Sequence, residues 1–243
     1  MKAFQTKTWL VAAALVAAAG AAHAQKAGDW VFGAGALVYA PQDKTTPLTF
    51  TSPVHREIPG SGADVKNATT LGMNVHYFIT DNWAVEGVLG VPPRIKLNGA
   101  GTLEPLGQLG SARLYAPSLL AKYFFGNADD KFRVSAGLGV TYSKFGSVRL
   151  TNGMQNALGG ALGLPPGVSS TSAKIDSKFA PVLNVGLNYA FTKNLGMTFS
   201  VSYIPMKTKA TLTTQVRGNT VATSQTRVRL DPIVPFLYLT YKF

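Results

Sequence analysis

The chain has 243 residues, with 23 Lys and Arg against 11 Asp and Glu, a formal charge of +12, and no cysteine. Disulfides and thiolate metal centres are thereby excluded, and the length suits a single domain, since barrels of this size are commonly undivided. No stretch after residue 24 reaches the roughly 18 uninterrupted apolar residues that a membrane-spanning helix needs.

In chain order, Lys2 and Lys7 make a positive start, Trp9 to Ala22 form an apolar stretch, and Ala22-His23-Ala24 offers small residues at the two positions a signal peptidase reads. Residues 1–24 are expected to be a cleaved secretory signal, and 25–243 the mature domain. The apolar stretch is 14 residues long, too short for a spanning anchor, which wants about 20. Loss of Lys2 and Lys7 lowers the charge from +12 to +10.

A first strand is predicted near Trp30–Tyr39. From Leu71 to Ile79 every odd residue is apolar and the even ones are mostly small or polar. After Thr80-Asp81-Asn82 the pattern resumes with Trp83, Val85, Gly87, Leu89 and Val91. Leu119, Ala121, Tyr123 and Phe125 lead into a turn at 126–131, and Phe132, Val134, Ala136, Leu138, Val140 and Tyr142 lead out. Ile175 to Phe191 and Leu195 to Tyr203 flank Thr192-Lys193-Asn194, and a last strand lies near Arg227–Phe243. Period-two alternation sends the two sets to opposite faces of a sheet. Eight strands result, joined by three tight connections (about 80–82, 126–131 and 192–194) and four long ones (about 40–68, 95–113, 147–174 and 208–226).

Short periplasmic turns alternating with long extracellular loops mark an all-β, eight-stranded antiparallel transmembrane barrel of the outer membrane. A soluble barrel or sandwich shows the same alternation, so the leader, the loop asymmetry and the C-terminus together carry the membrane assignment. Tyr77, Phe78, Trp83, Tyr123, Phe124, Phe125, Phe132, Tyr189 and Phe191 beside the short turns read as the inner aromatic girdle. The stretch Leu237 to Phe243 ends on an aromatic residue, similar to the signal by which the barrel-assembly machinery recognises its substrates.

Several segments together resemble the OmpW family of small outer-membrane barrels over the whole mature length. They are Gly28-Asp29-Trp30, Phe78 to Glu86, Pro92-Pro93, Ala116 to Phe125 and Leu230-Asp231-Pro232-Ile233-Val234-Pro235-Phe236. The chain departs from the family at Ala116-Pro117, which keeps one proline of a usual pair. It departs again at Val91-Pro92-Pro93-Arg94-Ile95, which lacks the usual Phe and His, so relatives' ligand preferences do not transfer. The resemblance implies an apolar pocket near the outer mouth and passage of small hydrophobic molecules, with an exit sideways through the wall. Phage and bacteriocin receptor roles among relatives leave a non-transporting structural, adhesive or receptor barrel as the alternative.

Eight strands enclose a lumen that side chains nearly fill or that holds one small ligand. By parity Glu86, Lys122 and Arg133 point inward near the periplasmic turns, with His76 and Lys242 nearby. They form either a network that seals the floor or simply a satisfied polar interior; in both cases buried charges must be paired. Inward parity higher up gives Pro92, Leu114, Ala116, Ile204, Met206, Leu230 and Val234 as the pocket lining for a small hydrophobic ligand. Pro92, Pro93, Pro117, Pro181, Pro205, Pro232 and Pro235 all fall in predicted strands, where a missing ladder donor either opens a lateral gap or ends the strand.

The long connections with their flanks (about 41–68, 94–113, 144–178 and 207–231) carry +9 of the mature +10. Lys144, Arg149, Lys174, Lys178, Lys207, Lys209, Arg217, Arg227 and Arg229 are placed at or above the outer leaflet. Lys207, Lys209, Arg217, Arg227 and Arg229 are the expected contacts to lipopolysaccharide phosphate. Anionic substrates rank second, and nucleic acid is set aside for want of a binding motif. Met154 to Leu164 is an apolar stretch inside a loop, either a lid or a short helix on other loops. The mature chain has only His55 and His76, with no Gly-x-Ser-x-Gly elbow and no metal-spaced cluster, so neither catalysis, metal nor cofactor is expected.

Overall fold

Residues that alternate large apolar with small or polar side chains can satisfy lipid on one face and a narrow lumen on the other, provided that no sheet edge stays open. In the computed structural model, which describes residues 25–243, the chain does this by closing on itself; the expected leader lies outside the described residues. The first strands are β1 (Trp30–Tyr39), β2 (Lys44–Thr45), β3 (Thr49–Ser52), β4 (Arg56–Glu57), β5 (Ser61–Val65) and β6 (Ala68–Phe78). They are followed by β7 (Trp83–Gly90), β8 (Arg94–Gly101), β9 (Gln108–Tyr115), β10 (Ser118–Phe124) and β11 (Phe132–Leu150). Helix α1 (Asn152–Gly160) precedes β12 (Ser169–Ile175), β13 (Lys178–Ala190), β14 (Leu195–Tyr203), β15 (Lys207–Val216), β16 (Asn219–Arg229) and β17 (Ile233–Lys242).

Eight of these strands make the transmembrane wall in the order β10-β7-β6-β1-β17-β14-β13-β11, and the pairing of β10 with β11 closes the ring. Every pair in it is antiparallel. Among the described residues no helix is long and apolar enough to cross a membrane; this wall crosses with strands. Leu119, Leu138 and Leu239 stand more than half exposed on its outside, members of a continuous apolar band. Lipid is the solvent for such a band, since water-facing surfaces rarely carry one this large.

The inner girdle needs one correction. Trp83, Tyr123 and Phe125 pack edge to face outside the wall, at 5.1 and 5.0 Å between centroids. Phe78 and Phe124 instead point inward, with 0 % and 1 % exposure, and cluster with Val31 and Ala84. Each is one residue out of step with the lipid-facing set of its own strand, Tyr77 in β6 and Tyr123 in β10.

Above the membrane the wall continues. The long connections are mostly strand, arranged as β5-β8-β9-β11 on one side and β12-β15-β16-β3-β4 on the other, with β2 on β16. β11, at 19 residues, belongs to both levels. The prolines mark the junction. Pro181 and Pro235 sit within strands, but Pro92-Pro93, Pro117, Pro205 and Pro232 fall between them, contrary to the expectation that all lie inside strands. A residue with no N–H to give cannot continue a ladder, so the lower staves end there and new strands begin. α1 lies on top. Its N-cap Thr151 accepts from the Met154 N–H, and Met154 and Leu158 are buried against the upper strands.

Candidate functional site

The lumen is built in layers from the periplasmic end upward. At the floor, Arg133 Nη2 donates to the carbonyls of Asp81 (2.8 Å) and Phe124 (3.0 Å), and its guanidinium stands over the Phe124 ring at 5.3 Å. One layer higher, Glu86 takes Lys122 Nζ at 3.3 Å, His76 Nε2 at 3.2 Å and Asn74 Nδ2 at 2.6 Å. Glu86 is 2 % and Lys122 0 % exposed, so this pair survives only because each ion cancels the other. Arg133 is not part of that cluster, as the sequence reading had it; the Phe78–Phe124 pair lies at the same end and Arg133 serves turn carbonyls instead. Lys242 pairs with Asp29 at 3.3 Å. Tyr238, 1 % exposed, fills the space beside Gly33, where the closest approach to its ring leaves no room for a Cβ. The lumen is therefore closed at the level of Glu86, Lys122 and Tyr238, and below them a cavity of about 30 Å³ beside Arg133, Asn188 and Thr240 faces the periplasmic turns.

Above Glu86 the lining changes from polar to apolar. A cavity of about 90 Å³ has Glu86, Asn184 and Ser200 below and Leu114, Leu120, Val182, Ile204, Met206 and Val234 around it. Leu114, Ile204, Met206, Leu230 and Val234 belong to one buried cluster, with Ala116 packed on it. Pro92 does not line the cavity, and Pro93 does. The chain leaves the ladder after Gly90, so alternation counted from Leu89 does not carry through the proline pair. Tyr39, Val65, Ile95, Leu120, Ala180 and Val182 are also in the cluster and were missed. Parity could have found Leu120 and Val182, which share a face with Lys122 and Asn184. Val65 and Ile95 lie on strands of the long connections, where no alternation was sought.

The same cavity reaches the wall. Leu89, an outward residue at 59 % exposure, lines it together with Gly90, Pro93, Leu114 and Ala116. Here the β7–β10 ladder stops at Val88↔Ser118, and Leu114 N to Pro93 O, at 3.1 Å, is the bond at the level of the prolines. Higher still, a second cavity of about 130 Å³ lies between the two upper sheets under α1, lined among others by Leu97, Leu109, Phe145, Met154 and Leu212.

On the outside of the upper level, Lys207 pairs in register with Arg229 and Lys209 with Arg227. Thr208 is buried, so these four cations share the outward face. Arg229 also bonds Asp231, and Lys44 sits opposite Arg229 on the other side. Arg217 is apart from them, in the β15–β16 turn with φ of 51°. Phe243 is 75 % exposed and packs edge to face on Phe32. Among the described residues no cluster of His, Asp and Glu has the form of a metal site.

Comparison with known proteins places this architecture. The model of the OmpW family matches residues 26–243. Outer membrane protein W of Vibrio cholerae serotype O1 is 29 % identical over 234 residues, covering 96 % of both chains. The dibenzothiophene metabolism operon protein PahQ of Pseudomonas aeruginosa is 27 % identical over 188 residues, covering 77 % of this chain and 78 % of its own. The crystal structure of the outer membrane protein OprG from Pseudomonas aeruginosa superposes with a TM-score of 0.77 at 25 % identity, over 91 % of this chain and 99 % of that one.

Proposed function

The chain belongs to the OmpW family of outer-membrane barrels, and from that premise we propose that it takes up small hydrophobic molecules through the apolar cavity and releases them sideways into the membrane. The observation that carries this reading is the cavity's shape: its base is charged and sealed, and its side touches the wall where prolines interrupt the ladder. A molecule descending from the outer mouth meets the buried Glu86–Lys122 pair and has no route to the periplasm through the lumen. At the level of Gly90 and Ala116 it meets a wall that can part with few ladder bonds lost. A relative named for a dibenzothiophene metabolism operon is in keeping with an apolar aromatic cargo.

The outward cations Lys207, Lys209, Arg227 and Arg229 face the level of lipopolysaccharide phosphate, and we assign them to holding that lipid. A basic residue near an anionic surface contributes about 1 kcal/mol. Arg217, at the hairpin tip, contributes to the same field from farther out.

The test is uptake of radiolabelled naphthalene by cells with and without the gene, with a sugar as control. Faster entry of naphthalene alone is expected, and Pro92→Val with Pro117→Val should slow it by restoring ladder bonds. Unchanged uptake in the double variant would remove the lateral route.

A further inference from the structure

A second interruption of the wall lies on the opposite pairing of β11. That strand leaves β13 at Ser143, opposite Lys178, and its upper part pairs with β9. β12 pairs with β15 alone. The edges of β11 and β12 run side by side above that last rung without a ladder between them. β11 is irregular there, with Ser147 at φ 48° and a register shift between Gly146 and Arg149. Across the top, Gln155 of α1 ties the two edges, donating to Leu150 O (3.5 Å) and accepting from Thr171 N (3.2 Å). The result is a break in the ladder, hereafter the slot, bounded below by a rung, above by a helix and on both flanks by strand edges.

What lies behind and around the slot is chemically divided. Phe145 and Val148 from β11, and Ala173 and Ile175 from β12, line the upper apolar cavity of about 130 Å³. The segments that flank the slot carry Lys144, Arg149, Lys174 and Lys178, all exposed, against one carboxylate, Asp176. The ion pairs among the described residues involve none of these four cations. Just below, Tyr142 and Phe179 pack against each other at 4.8 Å, tilted by 42°, on the outside, and Phe179 is 73 % exposed. Such a pair marks the upper edge of the apolar band, where lipid headgroups begin.

We propose that the slot binds an amphiphile with one long alkyl chain and an anionic head. The chain passes between β11 and β12 into the upper cavity, and the carboxylate or phosphate rests against Lys144 and Lys174. A neutral hydrocarbon would use the cavity but leave the cations unengaged. This site is separate from the lower cavity and the Pro92–Pro117 interruption, and it stands whether or not neutral molecules are taken up there.

The barrel is folded into zwitterionic-lipid nanodiscs carrying Phe145→Trp as its one indole, with Trp30→Phe and Trp83→Phe, and quenching of that indole by chain-brominated stearate is measured. The matching methyl ester is the neutral control. Saturable quenching by the acid and much weaker quenching by the ester are expected. Lys144→Ala and Lys174→Ala should each weaken the acid by roughly fivefold, the scale for one basic residue at an anionic surface, and leave the ester unchanged. Equal binding of acid and ester, or indifference to both lysine variants, overturns the proposal. If Phe145→Trp fails to fold, Ala173→Trp fills the slot from the other edge, and spin-labelled stearate should then lose its immobilised component relative to the unsubstituted chain; retained immobilisation overturns the proposal equally. Adding lipid A to the discs separates the sources. Displacement of stearate identifies a membrane lipid as the occupant, and undiminished quenching identifies a free fatty carboxylate.

Discussion

Replacing Glu86 with Gln keeps the shape of the side chain and removes the anion that faces both Lys122 and His76. Lys122 would remain in a site where it is 0 % exposed, facing a neutral amide and the Phe124 ring at 5.7 Å with no anion to balance it. A lone charge stranded in this way costs about 3–5 kcal/mol, whereas removing both partners of a buried pair is close to neutral. Glu86→Gln and Lys122→Met should therefore each lower stability by that amount, and the double variant should lie within about 1 kcal/mol of the unsubstituted barrel. Urea unfolding of the barrel in lipid reads this directly. Emission from Trp30 and Trp83, half-exposed at the periplasmic end, reports the lipid-facing wall, and gel mobility reports closure of the barrel. If the double variant loses the sum of the two singles, the pair is not coupled and the layered, sealed floor is wrong.

Gly33→Leu should block folding or shift it to a non-native barrel, because the new Cβ would lie 2.6 Å from the Tyr238 ring; loss of the folded gel band is the readout. Leu158→Ala removes a side chain that is 2 % exposed between α1 and the upper strands. The expected cost is about 3 kcal/mol, confined to the upper level: hydrogen exchange should speed up across α1 while β13 and β14 keep their protection. Asp43, above the membrane, accepts the Val65 N–H at 2.9 Å. Burial, and to a lesser degree Asp64, hold its carboxyl above the ordinary carboxylate range. The folded state thus prefers the protonated form, and stability falls as pH rises from the ordinary value through the raised one. Asp43→Asn keeps an acceptor for Val65 and should remove that slope. Melting temperatures should agree near pH 4, about the unperturbed carboxylate pKa, with the variant the more stable at neutral pH; parallel curves would contradict the assignment.

Much of this protein was legible in its residues. Period-two alternation from Leu71 to Val91, and again from Phe132 to Tyr142 and Leu195 to Tyr203, decides which side chains meet lipid and which meet the lumen, because strand geometry allows only two faces. That is enough to put Glu86 and Lys122 inside. Followed strictly, it also puts Phe78 and Phe124 inside, a step that counting aromatics near turns obscured. Parity says nothing about height, and height decided the rest. Arg133 shares a face with Lys122 but sits a layer lower, among turn carbonyls, because the stagger between neighbouring strands is set when the ring closes. Pro92 and Pro93 exchange places at the cavity because the ladder that transmits parity ends before them. The slot between β11 and β12 follows from no local pattern: both strands alternate acceptably, and each is paired on its other edge. Only the closed wall shows that β11 parts from β13 at Ser143 and that no strand takes the vacant place. Local sequence fixes the faces of a strand through bond geometry, whereas partners and levels depend on contacts between residues far apart in the chain, which exist only once the barrel has closed.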